Sequence, residues 1–304
     1  MRAVAFKEFG AAPELTEVET PAAGPGELLV KVAASSVNGF DLGVLGGALQ
    51  GVYEYEFPVT LGKDFAGTVA AAGPDVTGFA PGDAVFGVVM RPTLGQGGFA
   101  EYVAVPAGYG IARIPAGLDH ATAGALGLSG TAALNAVDAV TPVAGETVLV
   151  SGATGGVGSF AVQLLAGRGV KVIATARPGA EEEFVRDLGA AHVVDHADLE
   201  ALVRAVAPGG VDAALHLAGD GATVAGLVVP GGRFASTVHF QPEGLKATAV
   251  MSDPSRETLD HLATEVAAGR LRVSLGRTYG LHEAPEAVAA FVGGTVGKLG
   301  IRVS

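Results

Sequence analysis

The chain changes rhythm near residue 121. Before it, short apolar or alternating runs at 4–6, 27–33, 66–72, 84–89 and 101–105 are separated by Gly24-Pro25-Gly26, Gly73-Pro74-Asp75 and Pro81-Gly82-Asp83. Those separators are turn chemistry, and strands at this spacing predict a barrel or sandwich. Beyond 121, strand-like runs at 146–151, 170–175, 192–195, 211–217 and 233–237 alternate with helical stretches, among them 156–167 and 181–188. Strand and helix alternating at this interval predict a parallel sheet covered on both faces. A last helix over 255–268 returns to strand-like and mixed sequence up to Ser304. That tail is too short for a domain of its own and is expected to pack on the N-terminal one.

Composition narrows the partners. The 304 residues suffice for two domains with cores, and 49% hydrophobic content with a mean hydropathy of +0.43 marks a compact chain. The 47 glycines show no period. A net charge of −12 without a dense Lys/Arg cluster argues against nucleic acid or an anionic membrane as main partner. No apolar run reaches transmembrane length and the first residues lead straight into a strand, so a cytoplasmic protein is expected. With no cysteine, disulfides, thiolate catalysis and sulfur-ligated zinc are all impossible. The histidines at 120, 192, 196, 216, 239, 261 and 282 show no metal-ligand spacing, and no metal site is expected.

Residues 148–158 read as a buried strand, a Gly-rich turn and the start of a helix. A pyrophosphate needs backbone N–H groups at a helix N-terminus, and glycines let the main chain approach it closely. Gly155 and Gly158 have the spacing of the last two glycines of G-x-G-x-x-G, with Ala153 in place of the first. Ala153, Thr154, Gly155, Gly156, Val157 and Gly158 are therefore expected to cradle a dinucleotide. The choice between NAD and NADP is made about twenty residues on, where an acidic residue would hold the ribose 2′-hydroxyl. Here the segment reads Thr175-Ala176-Arg177-Pro178: the acid is missing and Arg177 offers a guanidinium to a 2′-phosphate. NADPH is expected on Thr175, Ala176 and Arg177, an ordinary surface arginine being the alternative. Further contacts are expected where later strands end: His196 near the adenosine, Leu217-Ala218-Gly219 along the cleft, and Val238 and Phe240 at the nicotinamide amide. A surface role for His196 and a core role for Phe240 stay open.

At this point the sequence resembles the medium-chain dehydrogenase/reductase superfamily, and within it the zinc-free quinone oxidoreductase (zeta-crystallin-like) branch. Besides the turn, the resemblance is carried by Val37-Asn38-Gly39-Phe40-Asp41, Leu61-Gly62-Lys63-Asp64-Phe65-Ala66-Gly67, Gly82-Asp83-Ala84-Val85-Phe86-Gly87 and Gly98-Phe99-Ala100-Glu101-Tyr102. Gly130-Thr131-Ala132-Ala133, Leu188-Gly189-Ala190-Ala191 and the closing Gly297-Lys298 extend it over essentially the whole chain. It implies an α/β architecture: a GroES-like β-barrel domain over 1–120 and 263–304, interrupted by a Rossmann doubly wound parallel-sheet domain over 121–262, with the active site in the cleft between them. It also implies a homodimer.

Zinc-dependent members carry a cysteine ligand where this chain has Asn38 and a histidine ligand where it has Lys63, so the resemblance implies a metal-independent reaction. Alcohol oxidation would then lack its Lewis acid, whereas a quinone or an α,β-unsaturated carbonyl takes up charge on its own carbonyl. By the same resemblance Asn38 contacts substrate or ribose, with a structural turn role as rival. Tyr53 or its neighbour Tyr55 is a proton donor or substrate contact, with a surface-loop role as rival. Thr131 lies by the nicotinamide, N-capping being its alternative, and Lys298 counts among the cofactor residues. The expected function is NADPH-dependent reduction of a quinone or enone by direct hydride transfer. An enoyl-thioester reductase and a non-catalytic NADPH-binding or sensing protein are the alternatives.

Overall fold

A computed structural model describes residues 1–304. In chain order the first elements are β1 (Arg2–Phe6), β2 (Glu14–Glu17), β3 (Glu27–Ser36), α1 (Gly39–Leu45), β4 (Glu54–Tyr55), β5 (Val59–Thr60) and β6 (Asp64–Ala72). Next come β7 (Ala84–Val88), β8 (Thr93–Leu94), β9 (Tyr102–Pro106), β10 (Ile111–Arg113) and α2 (His120–Ala123). The middle of the chain forms α3 (Gly127–Ala139), β11 (Thr147–Ser151), α4 (Gly156–Gly167), β12 (Lys171–Thr175), α5 (Ala180–Asp187) and β13 (His192–Val194). It continues as α6 (Leu199–Val206), β14 (Val211–His216), α7 (Gly221–Ala225), β15 (Val228–Ser236) and β16 (Lys246–Ala249). The chain closes with α8 (Arg256–Ala267), β17 (Leu275–Gly280), α9 (Ala284–Val292) and β18 (Lys298–Arg302).

These elements form two compact units, Met1–Leu128 with Pro254–Ser304, and Ser129–Asp253. The sequence-based boundaries at 120 and 263 fall eight and nine residues away from these. The reason is packing: α2 lies on β3, β6, β7 and β18, and α8 lies on β10. At the start of α8, Arg256 donates to the Ala107 carbonyl at 3.1 Å and sits over the Phe79 ring, which keeps it with the first unit.

In the first unit the main sheet runs β10-β7-β6-β3-β18-β17, with β9 also paired to β3. β3 alternates as its sequence demands, with Leu28, Val30, Val32 and Ala34 buried and Lys31 exposed. Register shifts at Leu29/Val30 and Val32/Ala34 bend it, so that one strand serves β6, β9 and β18. The C-terminal tail enters this sheet through β18, antiparallel to β3. Phe6, Phe65 and Phe99 are wholly buried in the core, and each such ring contributes about 1.5–3 kcal/mol over an exposed one.

The second unit is a six-stranded parallel sheet in the order β13-β12-β11-β14-β15-β16. Its central strands β12, β11 and β14 are near-continuous apolar runs, with Val148-Leu149-Val150 and Ala213-Ala214-Leu215 wholly buried, as a sheet covered on both faces requires. Chain order reverses between β11 and β14, and ligands of such sheets bind at the carboxyl ends of the strands at that switch point. Strands β2 and β16 were not read from the sequence. Glu-Leu-Thr-Glu and Lys-Ala-Thr-Ala are short edge strands without an apolar run, and their sheet partners create them.

Candidate functional site

The turn after β11 is built around two glycines. Gly152 takes φ +79°, and a Cβ on Gly158 would lie 2.2 Å from the Gly152 carbonyl and 2.6 Å from Ala153 Cα. Only glycine at 158 lets α4 press this closely onto the turn. Gly155 is the N-cap of α4 and its side-chain position is open, with only the Gly152 carbonyl at 3.6 Å. The amides of Gly156, Val157 and Gly158 open the helix and have no carbonyl one turn earlier to bond. Free N–H groups, an open approach and the positive end of a twelve-residue helix fit a pyrophosphate. Ala153 is wholly buried beneath the turn, while Thr154 to Val157 stay half-exposed. The Thr175 hydroxyl, at the end of β12, accepts the Gly152 N–H at 2.9 Å.

The other strand ends surround this turn. Ala176 is buried, and Arg177 is exposed and bound to Glu181 through its backbone N–H, Nε and Nη2. Asp195 and the exposed His196 follow β13, with Nδ1 3.4 Å from the Asp195 carboxylate. After β14, Leu217 is half-buried, Ala218 and Gly219 are exposed, and the Ala218 carbonyl accepts from the Ser151 hydroxyl. After β15, Val238 is exposed and Phe240 half-buried, its ring edge-on to His216 and Phe234. The buried His216 bridges both loops: Nε2 is 3.1 Å from the Gly219 carbonyl and Nδ1 is 3.1 Å from Ser236 Oγ. A carbonyl only accepts, so Nε2 carries the proton and Nδ1 accepts from Ser236. Ser236 Oγ in turn accepts the N–H groups of Val238 and Phe240.

In the barrel unit, a buried polar cluster gathers where β3 ends and β6 and β18 begin. Asp64 is wholly buried and accepts from Ser36 Oγ at 2.6 Å, Asn38 Nδ2 at 2.8 Å and the Leu128 N–H at 2.7 Å. Lys298, also buried, donates to Asn38 Oδ1 at 2.6 Å and to the Val37 carbonyl at 3.0 Å, with Asp64 3.6 Å away. Beside it Asp41 accepts from the N–H groups of Asn38 and Gly62. Burial pushes its carboxyl up to about 7, helped by the nearby Asp64 charge and opposed by those N–H groups and Lys298. Lys63 lies over the Phe40 ring and donates to the Val89 carbonyl, and burial pulls its ammonium down to about 8 against the pull of Asp41 and Asp64. Asp41, Lys63, Thr60 and Gln96 line a cavity of about 20 Å³, room for one water molecule. Tyr53 is half-buried with its ring edge-on to Phe40, and the Tyr55 hydroxyl donates to the Val44 carbonyl at 3.3 Å.

Comparison with known proteins places this geometry. Residues 24–116 match the alcohol dehydrogenase GroES-like domain and residues 188–299 the zinc-binding dehydrogenase family. A quinone oxidoreductase of Sus scrofa is 31% identical over 94% of this chain and 92% of its own length. The chain belongs to the quinone oxidoreductase branch of the medium-chain dehydrogenase/reductase superfamily. It is thus a member of a family of oxidoreductase enzymes. The structure of a quinone oxidoreductase from Coxiella burnetii superposes with a TM-score of 0.91 at 27% identity, covering 100% of this chain and 99% of that one. A mycobacterial protein solved in complex with NADPH gives 0.87 at 25% identity, covering 100% of both chains. A mycocerosic acid synthase-like polyketide synthase of Mycobacterium tuberculosis is 38% identical over 69% of this chain, which spans only 10% of that synthase. The mitochondrial NAD(P)H oxidoreductase RTN4IP1 of Mus musculus is 36% identical over 57% of this chain, which spans about half (47%) of it.

Within this quinone oxidoreductase fold, the structure places several of the expected residues as follows. Asn38, read as a substrate or ribose contact, turns both carboxamide groups inward: Nδ2 binds the Ser36 carbonyl and Asp64, and Oδ1 binds Lys298. Lys298, expected on the cofactor, is buried among barrel residues and holds Asn38. Thr175 props the turn through its hydroxyl, and Thr131 is wholly buried in α3. His216 and Ser36 carry the structure of these sites and were not singled out from the sequence, whereas Asp64 stands in the Leu61–Gly67 motif that carries the resemblance. His216 stands next to the expected Leu217-Ala218-Gly219, and an apolar strand ending in histidine was the available signal.

Proposed function

We propose that this quinone oxidoreductase family member binds NADPH and reduces a quinone or an α,β-unsaturated carbonyl by direct hydride transfer, without a metal. The observation that carries the reading is the Gly152–Gly158 turn, set at the switch point of a 3-2-1-4-5-6 parallel sheet and open in front of α4. Gly156, Val157 and Gly158 would hold the pyrophosphate through backbone N–H groups, and Thr154 and Gly155 would line its approach. Arg177, with His196 nearby, would meet the 2′-phosphate. Leu217, Ala218, Gly219 and Val238 would line the remainder, Ala153, Thr175, Ala176 and Phe240 supporting them from beneath. When bound, the coenzyme supplies a hydride. What the protein adds is orientation and exclusion of water, since an electron-poor acceptor stabilises its own charge.

On the barrel side, Asn38 and Lys63 do not make a zinc ligand set: a carboxamide engaged at both ends and a lysine bound to a carbonyl offer the ion no pair of donors. Tyr53 is the proton donor or substrate contact in this reading, because its neighbour Tyr55 already spends its hydroxyl on Val44. The relatives described as NAD(P)H oxidoreductases and the solved relative holding NADPH support the coenzyme assignment. A homodimer through the outer edge of β16, which has a strand on one side only, completes the proposal.

The polyketide synthase relative favours a second reading, an enoyl-thioester acceptor on the same site. One experiment separates these readings: NADPH oxidation with quinones, enones and enoyl thioesters in parallel, repeated with NADH. Turnover of quinones or enones supports the first, and of thioesters alone the second. NADPH binding without turnover of any acceptor would leave only a coenzyme-binding protein.

A further inference from the structure

The rim beyond β12 and β13 holds a cluster of charges. Arg177 leaves 66% of its side chain exposed, whereas its partner Glu181, in the first turn of α5, leaves 16%. Glu181 accepts the Arg177 backbone N–H at 3.0 Å and its Nε at 2.8 Å, and one further bond comes from Nη2. These bonds hold the Glu181 carboxyl below the usual carboxylate range. Asp195 adds its field to Arg177, and His196 adds its field to Glu181.

Other helix pairs of the same spacing differ. In Arg186–Glu182 and Arg204–Glu200 the carboxylates leave 35% and 66% exposed, and neither binds the backbone of its arginine. Glu181 is therefore a fixed group with a solvent-facing guanidinium clamped to it. A guanidinium has five N–H donors in one plane, and Glu181 uses two, on the Nε–Nη2 edge. Three remain, on the outer side. A second anion docking there has Glu181 across the same guanidinium, roughly 6 Å away and inside the screening length of physiological salt.

Resting on the reading that the adenosine end of the coenzyme lies at this rim, we propose that Glu181 determines selectivity between NADPH and NADH. It presents Arg177 to the 2′-phosphate but shares its charge, so the preference for the phosphorylated coenzyme is held low and NADH is also accepted. Repulsion between one carboxylate and a phosphate at that separation, in a dielectric close to that of water, amounts to about tenfold in affinity. Pre-orienting an exposed arginine recovers less than this, because only part of its rotamer entropy is at stake.

The test is calorimetric titration with 2′,5′-ADP and 5′-AMP, the adenosine halves with and without the phosphate, on wild type, Glu181→Gln and Arg177→Ala. Glutamine keeps an acceptor for the Arg177 amide but removes the charge. Glu181→Gln is expected to bind 2′,5′-ADP about tenfold tighter and to leave 5′-AMP unchanged. Arg177→Ala should bring the two ligands to similar affinity. Weaker or unchanged 2′,5′-ADP binding in a Glu181→Gln protein that melts like wild type overturns the proposal. If Arg177→Ala meanwhile removes the preference, the 2′-phosphate reading survives and only the role of Glu181 falls. If Arg177→Ala leaves the ratio of the two affinities where it was in wild type, both fall together.

Discussion

Lys298 Nζ donates to Asn38 Oδ1 at 2.6 Å, joining residues 260 positions apart in the chain. The contact locks the end of β3 to the start of β18, and Asp64 completes it from the start of β6 with a charge of the opposite sign. Burial pulls the Lys298 ammonium down from its usual range, while Asp64 and Asp41 pull it back up. Removing one member of a buried ionic group leaves the others unpaired, at a cost of about 3–5 kcal/mol. Lys298→Met is expected to lower stability in urea unfolding by that amount. A loss under about 1 kcal/mol would mean that the cluster is not what ties the two strands together.

Asp41 gives stability a pH signature. Its carboxyl titrates at about 7 in the folded protein and near its ordinary value of 3.8 in the unfolded chain. Between these the unfolded chain has lost a proton that the folded protein keeps, so this group's contribution falls as pH rises from about 4 to 7. Lys63 acts above that window. Its ammonium titrates at about 8 when folded and near 10.5 when unfolded, so stability recovers across that interval as pH rises. Denaturation midpoints measured from pH 4 to 10 should show the first slope diminished in Asp41→Asn relative to wild type. Parallel curves for the two proteins would sink the assignment.

Much of the fold was legible because it rests on local pattern. The alternation in β3, the apolar runs of β11, β12 and β14, and the strand-turn-helix at Ser151 are all local in sequence. Only long-range partners create the rest. Asn38 reads as a polar residue facing a cleft until Ser36, Asp64 and Lys298 are seen to use its carboxamide. β16 reads as loop until β15 gives it a neighbour. The unit boundaries shifted for a similar reason: α2 and α8 look like the start and end of an α/β domain by rhythm, yet pack on barrel strands.

Tyr53 and Tyr55 offer a matched pair. The Tyr55 hydroxyl is bound to Val44, and burial raises it above the ordinary tyrosine range. Tyr53 packs its ring against Phe40. If Tyr53 delivers the proton, Tyr53→Phe should lower kcat by about 10²-fold or more with little change in KM for NADPH. Tyr55→Phe should cost about 1 kcal/mol of stability and leave kcat nearly unchanged. Equal kcat in both variants would assign the proton to solvent.

Ser236 serves three partners at once, donating to His216 Nδ1 and accepting from Val238 and Phe240. Ser236→Ala leaves a buried imidazole nitrogen and two loop amides without this oxygen, a loss of about 1–3 kcal/mol. Because both loops proposed to line the coenzyme hang on this unit, the variant is expected to bind NADPH more weakly as well. Fluorescence titration of NADPH beside thermal melting checks both effects. If binding weakened with no fall in melting temperature, the hydroxyl would not be acting by holding the loops in place.

Gly155 and Gly158 should separate binding from folding. At Gly158 an added methyl would stand 2.2 Å from the Gly152 carbonyl and 2.6 Å from Ala153 Cα, both backbone atoms that cannot rotate away. Gly158→Ala therefore has to push α4 off the turn, and overpacking of this kind costs about 1–3 kcal/mol. At Gly155 the same methyl meets only a carbonyl at 3.6 Å, and φ is −73°, a conformation alanine adopts freely. Gly155→Ala should thus keep the stability of wild type to within about 0.5–1 kcal/mol. Yet its methyl projects into the open side of the turn where the pyrophosphate is proposed to lie, so NADPH affinity should drop at least tenfold, a free-energy difference of about 1.4 kcal/mol. Melting curves with and without NADPH distinguish the two variants: Gly158→Ala should melt early in both, and Gly155→Ala should melt normally but lose the coenzyme-induced rise. Full coenzyme stabilisation of Gly155→Ala would move the pyrophosphate away from this helix.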